Sequence, residues 1–128
     1  MSDDRNPDVT TGAEQWQLDD EAAAPASPFD DPAALIRHFD EMAVSPQISV
    51  TRSSQLIYAR TTRRVLASLT EAQLVRHRAV RGMLDNPDAL LWHFAVNSRN
   101  GALVVPRAYW VQYSATLSRL VDDAPRAG

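Results

Sequence analysis

The side chains able to do chemistry are few and scattered. The 128-residue chain has three histidines, His38, His77 and His93, each alone in sequence, and four glutamates, Glu14, Glu21, Glu41 and Glu71. His38 and Glu41 stand three apart, the spacing by which one helix side offers an imidazole and a carboxylate to a carboxylate-bridged metal pair. Such a site needs the motif twice and two further glutamates, so the pair reads as a solvated helix flank and no metal is assigned. His93 falls in an apolar stretch, where an imidazole is more often a core residue bonded to a carbonyl than a base. There is no Gly-x-Ser-x-Gly elbow, phosphate-cradling loop or dinucleotide fingerprint, and Gly12, Gly82, Gly101 and Gly128 are dispersed. No catalytic set and no cofactor site is predicted. The absence of cysteine removes disulfides, thiolate zinc sites and a thiol nucleophile, and fits a reducing cytoplasm.

The arginines are more informative. All 13 basic residues are arginine and none is lysine, the habit of a GC-rich genome, bacterial or phage, so the missing lysines carry no functional weight. Arg60, Arg63 and Arg64 project from one predicted helix, and Arg76, Arg78 and Arg81 follow on or beside the next. Two short helices meeting at a corner are also the outline of a DNA-reading unit, where arginine binds phosphates and guanine edges. Against this, the turn lacks a glycine and the second helix begins at Glu71, and outward arginines are what solvated helix faces ordinarily carry. Nucleic-acid binding through these six arginines is therefore the alternative reading.

Charge is distributed unevenly behind a formal net of −3. Residues 1–27 carry Asp3, Asp4, Asp8, Glu14, Asp19, Asp20 and Glu21 against Arg5, a net of −6, whereas residues 37–81 carry a net of +5. A tethered acidic arm has a high effective concentration at such a basic surface, and would cover it until a better polyanion displaced it. Residues 1–28 otherwise show almost no apolar periodicity and are expected to be disordered when free. Within them Trp16 and Leu18, beside three acids, form a candidate docking segment. The opening residues lack a basic and an apolar region, so no secretory signal is expected, and no apolar run is long enough to span a membrane.

The elements that must position these residues are mostly helices. The Asp30-Asp31-Pro32 step supplies a cap and a first helical position, after which Leu35, Ile36, Phe39, Met42 and Ala43 share one arc. From about Ser53 the pattern is helical again, with Tyr58, Thr62, Val65 and Leu69 aligned. Thr70-Glu71-Ala72-Gln73 matches a capping box and starts another helix, predicted to turn Ala72, Val75, Ala79 and Met83 inward and His77, Arg78 and Arg81 outward. Asp85-Asn86-Pro87 stops and restarts the chain into residues 88–97, apolar on every side, and Asn100-Gly101 turns it. Residues 47–51 and 102–105 are able to pair as a minor two-strand ribbon. Pro106 opens a last helix carrying Tyr109, Trp110, Tyr113, Leu117, Leu120 and Val121, and residues 122–128 read as a frayed tail. The result is an all-α domain over 29–121, about five short helices packed orthogonally.

Aromatic residues crowd the last two helices. Trp92, Phe94, Tyr109, Trp110 and Tyr113 are predicted to exceed what one small core can hide, so a second polypeptide is expected to cover the excess. The function expected from sequence is a non-catalytic, cytoplasmic helical subunit that oligomerises or docks into a larger assembly, with Trp16 and Leu18 as a further contact. Besides the nucleic-acid alternative, an accessory subunit of a multi-chain enzyme is the third reading.

Overall fold

The computed structural model describes residues 11–45 and 47–124, with side chains from residue 17 onward apart from 47 and 48. In order come α1 (Thr11–Ala23), a 3-10 turn (Pro28–Asp30), α2 (Pro32–Met42), β1 (Gln47–Val50), α3 (Arg52–Ala67), α4 (Glu71–Arg78), α5 (Pro87–Arg99), β2 (Leu103–Pro106) and α6 (Arg107–Asp123). The fold is all-α with one minor ribbon, as the sequence predicts.

Short-range capping places most helix starts. Asp31 accepts the Ala34 amide before α2, Thr51 the Ser54 amide before α3, and Asn86 the Asp88 and Ala89 amides before α5. Thr70 and Gln73 close the reciprocal box before α4. Ser27 and Asp30 form a second such box around the 3-10 turn. At α6, Pro106 is the residue before the helix and makes no side-chain cap.

The antiparallel ribbon pairs Ile48 with Val105 and Val50 with Leu103. Val50 and Val105 are buried beneath it. Gln55 of α3 holds the preceding turn by donating its amide to the Gly101 carbonyl at 2.8 Å. Gly101 needs its left-handed φ of +96° to leave α5 and enter β2.

The core lies where α2, α3, α5 and α6 converge, around Leu35, Phe39, Tyr58, Leu90, Phe94, Trp110, Tyr113, Leu117 and Leu120. Its rings meet largely edge to face: Phe39 and Tyr58 at 5.0 Å and 80°, Phe94 and Tyr113 at 5.0 Å and 64°, Trp110 and Tyr113 at 5.4 Å and 79°. Interlocking of this kind fits several large rings into a small volume.

That packing corrects the expected aromatic excess. Phe94, Trp110 and Tyr113 are fully buried inside the single chain, and Tyr109 is half-buried against the same core. Of the five rings only Trp92 faces solvent.

Two further expectations change. Thr11–Ala23, read as part of a disordered arm, is helix α1, and Gln17 and Glu21 on it are buried. The C-terminal residues 122 and 123, read as a frayed tail, belong to α6. Residues 1–10 and 125–128 lie outside the described residues.

Helix α4 is rotated relative to its predicted facing. Ala72, Val75, Ala79 and Met83 are all exposed, whereas Gln73, Leu74 and His77 turn inward. The cause is the end of α6: His77 donates to the Asp123 carboxylate at 2.7 Å and Gln73 donates to the Asp123 carbonyl at 3.0 Å. Two polar contacts to one residue 46 and 50 positions away, with Leu74 packed against the core, fix this facing and leave the two alanines, Val75 and Met83 outside.

Candidate interaction surfaces

Of the six arginines predicted to face a polyanion, five are already engaged by this chain. Arg60 is the most heavily used. It donates to both Asp30 carboxylate oxygens, at 2.8 and 3.0 Å, and to the carbonyls of Glu21, Ala24 and Pro25 at 2.8, 2.8 and 3.0 Å. Arg63 forks onto Glu21 with two bonds of 2.9 Å, and Arg64 reaches the Asp30 carbonyl. Arg76 lies 3.4 Å from Asp123 and Arg78 lies 2.9 Å from Asp88. Arg81, exposed beyond α4, forms no ion pair among the described residues.

The planar guanidinium fork explains why arginine rather than lysine suits the first two positions. Burial alone would raise the Asp30 pKa. The Arg60 hydrogen bond, the Ser27 amide and the positive charges of Arg60 and Arg64 outweigh it and hold the carboxyl below its ordinary value.

The acidic segment expected to cover the basic face therefore lies on it as a helix. Arg52 adds a pair with Asp20 at 2.8 Å. The Trp16 side chain lies outside the described residues, and Leu18 on the same helix is 39% exposed.

The histidines form two imidazole–phenol pairs flanking the aromatic core. His38 is stacked on Phe29 at 4.2 Å and lies 2.7 Å from the Tyr58 hydroxyl. It is half-buried, not on a solvated flank, and burial lowers its pKa against the opposing pull of Glu41.

His93 is bonded to the Tyr113 hydroxyl rather than to a carbonyl. The Asn97 amide nitrogen donates to the His93 carbonyl at 2.8 Å and lies 3.2 Å from Nδ1. Nδ1 is thus an acceptor, which puts the proton of the neutral ring on Nε2, facing Tyr113. Burial lowers the His93 pKa, and protonation at Nδ1 would set two donors face to face. Burial also pushes both phenols above their ordinary range. Burial thus favours the neutral form of each pair, whose hydrogen bond satisfies a buried hydroxyl. Among the described residues no three histidine or carboxylate side chains gather as a metal site needs.

More than half of the exposed large apolar residues described lie in the stretch from α4 through the following turn to α5. Of nine large hydrophobic residues exposed among the described residues, Val75, Val80, Met83, Trp92 and Val96 belong to the stretch from α4 to α5. Trp92 is 68% exposed, Met83 69% and Val75 62%. Asn86 ties the intervening turn by donating to the carbonyls of Arg78 and Val80 at 3.1 and 2.8 Å. The Arg78–Asp88 pair then joins α4 to α5, with Val75 one turn before Arg78 and Trp92 one turn beyond Asp88. The signal for this surface was already present at residues 88–97, since a helix apolar on every side cannot bury all of them against one neighbour.

No protein-family model, curated protein sequence or solved structure matches the chain. No helix among the described residues is long and apolar enough to cross a membrane.

Proposed function

We propose that this chain is a non-catalytic helical subunit that docks onto another polypeptide through the apolar face spanning α4, the turn after it and the outer side of α5. The observation that carries the proposal is Trp92, a tryptophan 68% exposed on a helix whose other large ring, Phe94, is buried. Tryptophan is enriched among residues that dominate binding energy, and its exposure in the free chain leaves its apolar area to be covered on association. Val96 lies one helical turn on, and Val75 and Met83 are exposed on α4 and the turn after it, which the Arg78–Asp88 pair joins to α5. This face differs from the one expected from sequence, because Phe94, Trp110 and Tyr113 are committed to the core and are not available to a partner.

The nucleic-acid alternative has less behind it than the apolar face. Five of its six arginines are paired within the chain, and the outward side of α4 sets the apolar Ala72, Val75 and Ala79 beside Arg76 and Arg78, which remain 62% and 49% exposed.

The test is affinity purification of the tagged full chain from its own cells, beside Trp92→Ser and Met83→Ser variants, with light scattering of each pure protein. A partner or self-association present in the wild type and lost in both variants supports the proposal. Identical monomers with identical co-purifying proteins overturn it. A band shift on random duplex DNA that weakens steeply with salt favours the alternative.

A further inference from the structure

Helix α1 is held to α3 by charge. Its buried described side chains are Gln17 and Glu21, linked to each other by a 2.8 Å bond, while Leu18 is exposed. On α3, Arg52, Arg60 and Arg63 fall within one arc of about 80° at helical spacing. Each arginine reads a different part of α1 and the chain just after it. Arg52 takes Asp20, Arg63 takes Glu21 with both arms of its fork, and Arg60 takes the carbonyls of Glu21, Ala24 and Pro25.

Alone, α1 is built against itself. Asp19, Asp20 and Glu21 crowd its C-terminal end, where the helix dipole disfavours negative charge, and its last turn carries no basic residue. The acids are placed for the arginines rather than for the helix that bears them.

We propose that Arg52, Arg60 and Arg63 form a receptor site for an acidic helical peptide, and that α1 is its resident occupant, displaced when a partner protein presents a better acidic helix. The contacts favour a polypeptide over a nucleic acid. A phosphate would fill the Arg63 fork, but it would leave Arg60 without the row of carbonyl acceptors that a helix end supplies. The resident helix has the advantage of its tether, equivalent to roughly millimolar concentration, so a competitor must exceed it or arrive where the resident is weakened. The site lies on α1 and α3, apart from the α4–α5 face, so its test is independent of Trp92.

The experiment uses the full chain as wild type, Glu21→Gln and Glu21→Gln with Arg63→Gln, read by hydrogen exchange and by anisotropy of a dye-labelled peptide of residues 11–26. Glu21→Gln is expected to speed exchange of the α1 amides about tenfold or more, with α5 amides unchanged. The peptide should then bind this variant at least about tenfold more tightly than the wild type, and lose that affinity when Arg63→Gln is added. A control peptide with Asp19, Asp20 and Glu21 replaced by their amides should not bind. If Arg63→Gln disturbs α5 exchange, Arg52→Gln replaces it, with a smaller loss in the same direction. Unchanged α1 exchange in Glu21→Gln, equal binding of the acidic and neutral peptides, or release of α1 by duplex DNA but not by the peptide each overturns the proposal.

Discussion

Arg60 and Asp30 meet through two parallel bonds of 2.8 and 3.0 Å, and the same guanidinium closes the chain between α1 and the 3-10 turn by capturing three carbonyls. The carboxyl titrates below its ordinary 3.8 in the folded protein. Stability from this contact is therefore full above about pH 4 and is lost as pH falls through the lowered folded value. Arg60→Lys keeps one charge but cannot span five acceptors, and is expected to cost about 1–2 kcal/mol near neutrality. It should also flatten the acid limb of the stability curve, measured as urea midpoint against pH.

His93 and His38 shift the pH response at a higher range. Both imidazoles titrate below 6.5 when folded, so the unfolded chain takes up protons first as pH drops below that value. Stability is constant above it and falls from there down through the folded values. His93→Gln retains a hydrogen-bonding group for Tyr113 but cannot titrate. The difference in urea midpoint between about pH 8 and about pH 5 should shrink in this variant. An undiminished difference would remove His93 as its source.

The tryptophans at 92 and 110 should respond to substitution with very different magnitudes. Trp92→Ser is expected to change the stability of the isolated chain by no more than about 0.5 kcal/mol, because no core contact is removed. Trp110→Ala should cost about 3–5 kcal/mol through the cavity it leaves. The indole N–H of Trp110 has no acceptor among the described residues. Trp110→Phe, which removes that donor with only part of the ring, should thus cost much less than the alanine. Denaturant titration of the three variants checks the order.

Two glycines adopt positive φ for different reasons, and alanine separates them. At Gly101 a Cβ would meet nothing within 4 Å, so the cost is backbone strain at φ +96° alone, about 1 kcal/mol. At Gly82 a Cβ would sit 2.7 Å from an Asp85 carboxylate oxygen. Because Gln112 donates to that carboxylate, moving it loosens the turn from α6. Gly82→Ala should be the more destabilising by thermal melting and should speed hydrogen exchange at residues 83–86.

What the sequence determined by itself was most of the boundaries whose hydrogen bonds close within a few residues, the equally local Ser27–Asp30 box and helix α1 excepted. Asp31, Thr70, Asn86 and Gly101 mark element boundaries because a cap or a left-handed turn is a local event, and the 47–51 and 102–105 segments were recognisable as partners. Facing and burial were decided by tertiary structure. Asp123 turned α4 over, and four converging helices took in Phe94, Trp110 and Tyr113 while leaving Trp92 outside. The acidic segment and the arginines could be matched by charge from sequence, but not the helix that joins them. That helix depends on Arg63 meeting Glu21 across 42 residues of chain, and side chains so distant acquire a relative position only when the whole core has formed.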